Sequence, residues 1–132
     1  MNDAQKGPLA RIKDTALIRD LSFIGGQWRD AASGQRIDVH NPADGTVVAR
    51  VAALSAEESR AAVDAAQDAF DGWSGLLPQE RSRLMRRWFD LMLEHKEDLA
   101  NLMVAEQGKP ISEARGEIDY AASFIEYYAE EA

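Results

Sequence analysis

The sequence of 132 residues contains no cysteine, which excludes disulfides, thiolate metal sites and a cysteine nucleophile within it. That absence leaves the redox compartment open. Histidine is scarce as well: His40 and His95 are the only two, and neither has a second ligand at metal-binding spacing. No apolar run approaches the length of a membrane span. The first residues lack the apolar core of a signal peptide, and Asp3, Asp14 and Asp20 are out of place in an acid-poor transit peptide. A net charge of −8 argues against nucleic acid and against an anionic membrane surface as partners. A cytoplasmic protein is the expectation.

What remains is ordinary in amount, with 45% hydrophobic and 29% charged residues, so the information lies in their order. Residues 1–7 are polar and read as a frayed end. Pro8 is placed for the first turn of a short helix on which Leu9, Ile12 and Ala16 share a face. From Leu21 the period changes. Phe23-Ile24-Gly25-Gly26-Gln27-Trp28 predicts a tight hairpin, because two glycines accept the positive φ of a type I′ turn. Residues 36–40 alternate, with Ile37 and Val39 on one face, and residues 46–52 are valine-rich. Between them Asn41-Pro42-Ala43-Asp44-Gly45 is turn chemistry throughout. Strands this short need another surface to pack on.

Ser55 and Glu58 form a capping box. The helix they open turns Ala62, Val63, Ala66, Ala69, Phe70 and Trp73 to one side and is expected to end at Gly72 and Gly75. Pro78 opens the next helix, whose stripe of Leu84, Trp88, Leu91 and Met92 opposes Arg81, Arg83, Arg86 and Arg87. Acidic residues surround those arginines in sequence, which predicts a salt-bridge surface facing protein rather than a phosphate site. Glu94-His95-Lys96-Glu97 predicts a break, after which Leu99, Leu102 and Met103 resume the stripe.

At Glu106-Gln107-Gly108-Lys109-Pro110 the helix must stop and restart. Gly108 can close it with φ > 0, and Pro110 forbids its continuation. Glu106 is then an acid at the negative end of a helix, so a partner is expected: Lys109, a backbone N–H or a bound cation. Ser112 and Glu113 start a last helix with Ile118, Ala121, Ala122, Ile125 and Ala129 on one side. Tyr120, Phe124, Tyr127 and Tyr128 line much of the rest. A helix apolar around most of its girth is buried around most of it. A chain of this length offers too little surface for that, which predicts an incomplete domain.

The residues themselves compose no catalytic constellation. Ser33 has no paired base, Gly25-Gly26 precedes no helix N-terminus that would make it a phosphate loop, and Glu57-Glu58 and Glu130-Glu131 read as helix-terminal solvation. There is no nucleophile, no partnered general base and no dinucleotide fingerprint.

Taken in order, several stretches resemble the N-terminal quarter of the aldehyde dehydrogenase family. They are Phe23-Ile24-Gly25-Gly26-Gln27-Trp28, Asn41-Pro42-Ala43-Asp44-Gly45, Phe70-Asp71-Gly72-Trp73, Glu80-Arg81, 87–92 and Glu106-Gln107-Gly108-Lys109-Pro110. Residues 116–126 are the most telling, and they are similar to the bacterial succinate-semialdehyde dehydrogenases in particular. The resemblance implies an α/β fold of which this chain holds a few short β-strands followed by several α-helices. Residues 1–20 would be a leader with a short helix. Residues 21–132 would be the first portion of a cofactor-binding domain, with strands about 21–54 and helices about 55–132.

It also implies an oxidoreductase that converts succinate semialdehyde, or a related semialdehyde, to the acid with NAD or NADP. The family's cysteine attacks the carbonyl, hydride passes to the nicotinamide, and a glutamate-activated water releases the product. The family assembles as homodimers or homotetramers. None of its catalytic or cofactor-binding residues falls on these 132 residues, so the chain alone is expected to be inactive. Two lesser sites do fall on it. A structural monovalent cation would be held by backbone carbonyls of Val39 and His40 with the Glu106 carboxylate. Tyr120 and Phe124 would line the wall of the substrate tunnel, although core packing is the commoner role for such residues. The alternative is a non-catalytic helical interaction module derived from the same fold.

Overall fold

A computed structural model of the chain describes residues 7–132. Residues 1–6, read above as most of a frayed end, lie outside the described residues. Among the described residues the order is two short 3₁₀ turns, four strands and four helices: β1 (Ser22–Ile24), β2 (Gln27–Arg29), β3 (Arg36–His40), β4 (Val47–Ala52), α1 (Ala56–Ser74), α2 (Pro78–Glu94), α3 (Lys96–Gln107) and α4 (Ile111–Glu130).

The strands make two separate antiparallel hairpins, β1–β2 and β3–β4. Gly25 and Gly26 join the first with φ of 58° and 77°, the signature of a type I′ turn. In the second, Val39 faces Ala49 but His40 faces Val47, so Val48 is an extra residue. That bulge sends Val48 onto a small core of Leu9, Ile12 and Ala105, where Ile18 and Leu102 also pack.

Pro8 does begin a helical turn, but a single helix through Ala16 does not form. Pro8–Arg11 and Thr15–Leu17 are separate 3₁₀ turns. The amides of Lys13 and Asp14, which a continuous helix would bond to carbonyls four residues back, are taken by the Asp98 carboxylate at 2.9 Å each.

The capping box of α1 is present: Glu58 N–H donates to Ser55 Oγ, and Ser55 N–H to Glu58 Oε2 at 2.8 Å. Glu58 Oε1 also accepts from Ala32 N–H at 2.7 Å, which ties the helix to the loop before β3. Gly72 stays inside α1, and only Gly75 closes it. Little covers this helix, and Val63, Phe70 and Trp73 are exposed.

The expected break falls at His95, which separates α2 from α3. The expected burial of α2 is corrected. Leu84 and Trp88 are exposed, and α2 packs on α4 with Met85, Phe89 and Met92 half-buried. Arg86 accounts for the rotation, since it reaches Glu126 at 3.1 Å and also pairs with Glu130 on α4. Arg81 turns back to the Leu76 carbonyl at 2.6 Å and so braces the α1–α2 corner. Both contacts fit the expected protein-facing arginines.

Helices α3 and α4 meet over Ala100, Ala114 and Ile118. The buried positions of α4 are small or aliphatic (Ala114, Ile118, Ala122 and Ala129), and its rings point away from them. Every aromatic residue of the chain except Phe89 is exposed.

Candidate functional site

The two turn motifs meet in space. Asn41 N–H donates to the Thr46 carbonyl and Gly45 N–H to the Asn41 carbonyl, both at 2.8 Å, so residues 41–46 close on themselves. Thr46 donates its hydroxyl (2.7 Å) and its amide (3.0 Å) to Asp44, which holds that carboxyl below its usual range. His40 Nδ1 lies 3.1 Å from the Gly45 carbonyl and must be its donor. Thus His40 flanks the turn and braces it.

Against this turn sits the end of α3. Gly108 has φ of 69° and donates to the Val104 carbonyl at 2.9 Å. A β-carbon there would stand 2.7 Å from Pro42 Cγ. Gly108 is therefore required twice, by its own backbone and by the proline ring packed on it. An open groove of about 360 Å³ runs beside the junction, lined in part by Pro8, Arg11, Asn41, Asn101 and Val104.

The contact is between Pro42, two residues after His40, and Gly108, two residues after Glu106. Lys109 does not serve Glu106, because it pairs with Glu117 on α4. Among the described residues Glu106 makes no ion pair, and its side chain is exposed. A donor set of two carbonyls and one carboxylate is hard oxygen throughout, suited to an alkali or alkaline-earth ion. Among the described residues no three His, Asp or Glu side chains group to hold a metal, so such an ion would rest mainly on backbone oxygens.

Tyr120 and Phe124 lie one turn apart on α4, with ring centroids 4.8 Å apart and planes at 76°. They are 66% and 47% exposed. In this chain they form an open aromatic face, continued by Tyr127.

Sequence reasoning missed Asp98. It is 8% exposed, and both of its oxygens are used by backbone amides some 84 and 85 residues earlier. In sequence it is one more acid in a first helical turn, so no local signal could have marked it. The same holds for Arg36, which clamps Asp30 at 2.6 Å and Asp20 at 3.3 Å.

The Asn-Pro turn of the β3–β4 hairpin is thus docked on the Gly-Lys-Pro end of α3. Residues 28–132 match the aldehyde dehydrogenase family, and the chain belongs to that family. It is 51% identical over 121 residues to the succinate-semialdehyde dehydrogenase [NADP(+)] GabD of Escherichia coli. It is 52% identical over 122 residues to the glutarate-semialdehyde dehydrogenase of Pseudomonas putida. Each match takes in 92% of this chain and 25% of the relative, so the chain spans about a quarter of the length of these relatives. Among solved structures, an E. coli NADP-dependent enzyme superposes with a TM-score of 0.88 at 52% identity, covering 91% of this chain and 25% of that one. Succinate-semialdehyde dehydrogenase from Burkholderia pseudomallei superposes at 0.87 with 46% identity and the same coverage.

Proposed function

We propose that this chain is the N-terminal part of an NAD- or NADP-dependent aldehyde dehydrogenase that oxidises succinate semialdehyde or a close homologue such as glutarate semialdehyde. The supporting observation is sequence identity of about one half, spread over more than nine-tenths of the chain, to enzymes named for those two substrates. Residues 21–132 serve as the opening portion of the cofactor-binding domain, in a cytoplasmic homodimer or homotetramer. The nicotinamide cofactor supplies the hydride acceptor when bound. This chain's own residues do none of that chemistry: with no cysteine there is no thiolate to attack the aldehyde. Their part is to hold the junction of the Asn-Pro turn with α3 and to present the face of α4. Tyr120 and Phe124 would provide apolar walls for the substrate path, leaving the substrate carboxylate to other residues.

Two measurements follow. The purified chain is expected to reduce neither nicotinamide cofactor in the presence of succinate semialdehyde. A chimera in which it replaces the matching quarter of the E. coli relative is expected to keep kcat/KM within about tenfold of the parent. A soluble, folded chimera without activity would sink the reading.

Val39, His40 and Glu106 would hold the monovalent cation, which neutralises the acid at the α3 terminus. Exchanging choline for sodium or potassium at constant ionic strength is then expected to raise the melting temperature by about 3 °C. Glu106→Gln should abolish the increment, and an unchanged increment in that variant would exclude the site.

A further inference from the structure

We propose that residues 8–18 form a detachable strap latched to α3 by the Asp98 carboxylate, and that the strap releases when this carboxylate loses its charge. The geometry isolates the latch. Among the described residues, the other backbone hydrogen bonds of the segment stay within it or reach only the adjoining Gly7: Ala10 to Gly7, Ile12 to Leu9, Leu17 to Asp14 and Ile18 to Thr15. Only the amides of Lys13 and Asp14 reach outward, both to Asp98 at 2.9 Å. The remaining hold is the approach of Asp14 to His95 Nδ1 at 3.8 Å and apolar packing, from Leu9 and Ile12 seated on Ala105 with Ile18 beside them. Immobilising the strap costs conformational entropy that burying so few aliphatic side chains does not offset alone. The carboxylate therefore decides the balance, and the segment sits at the low-stability end of the fold.

Its far end is fixed. Asp20 accepts from Ala52 N–H at 2.9 Å and from Arg36, and Arg19 lies 5.1 Å over the Trp28 ring. Release consequently swings the strap about residue 19 and uncovers the surface formed by Ala105, Leu102 and Val48.

The charges around the latch fix the sign of its pH response. The two backbone amides, helped by the charges of Lys13 and His95, hold Asp98 below the ordinary value of 3.8. Asp14 lies 3.8 Å from His95 Nδ1, and Glu97 on the same turn is engaged by Arg115 of α4. A lowered folded-state value means the latch is intact at neutral pH and fails as pH falls through that value. Protonated His95 draws Asp14 inward, so it tightens the strap and cannot be what opens it.

Limited trypsin digestion of the full chain at neutral pH tests this, with Asp98→Asn standing for the uncharged carboxyl. Cleavage after Arg11 and Lys13 is expected to rise by about tenfold or more, with no change at Arg50 in β4. Equal cleavage of the strap in both proteins would overturn the latch. Parallel acceleration at Arg50, or failure of the variant to fold, would also overturn it, by showing that Asp98 holds the whole fold. In the unmodified chain, the Lys13 and Asp14 amide resonances should titrate with a midpoint below 3.8; a midpoint at or above that value contradicts the proposal.

Discussion

Replacing Gly108 by alanine is expected to destabilise the chain by about 2–5 kcal/mol. Two independent costs combine. The backbone at φ of 69° penalises any L side chain by about 1–2 kcal/mol. The new methyl would also meet Pro42 Cγ at 2.7 Å, and relieving that overlap moves a turn closed by its own hydrogen bonds, at about 1–3 kcal/mol. A small domain has only about 5–15 kcal/mol in total, so the melting temperature should drop visibly. Pro42→Ala separates the two costs. In that background the clash disappears and Gly108→Ala should retain only the backbone cost, roughly half the original effect. Equal cost in both backgrounds would show that the Pro42 contact contributes nothing.

The second large effect concerns association rather than stability. Phe124 and Tyr127 are 47% and 58% exposed. With roughly 200 Å² per ring, about 100 Å² of each lies open, worth about 2.5 kcal/mol at 25 cal/mol/Å² if covered. Phe124→Ser with Tyr127→Ser should weaken self-association of the isolated chain by about ten- to a hundredfold, after the costs of ordering an interface. Stability should change by less than about 0.5 kcal/mol per site, because neither ring is in the core. Sedimentation across a dilution series reads the first quantity and thermal unfolding the second. An unmodified chain that stays strictly monomeric, or a double variant that melts far lower, would contradict this account of α4.

Local signals carried much of the fold. Gly25-Gly26 specified its turn because few residues tolerate that backbone. Ser55 and Glu58 specified the start of α1 because the reciprocal bonds span only three residues. Gly108 and Pro110 ended α3 for equally local reasons. The leader was misread because its helical spacing was outbid by a carboxylate over eighty residues away. Helix α2 was misread because two of its faces are apolar, and the sequence does not say which one Arg86 will drag against Glu126 and Glu130.

Sequence by itself determined the elements, their turns and caps, the lack of a thiol and the family resemblance, since each depends on residues close along the chain or on their order. Only tertiary structure decided that Pro42 rests on Gly108, that Asp98 holds the strap and that α4 buries its alanines and Ile118 rather than its rings. Those outcomes depend on which distant surfaces meet, and burial is assigned by the neighbour that arrives, not by the side chain that waits.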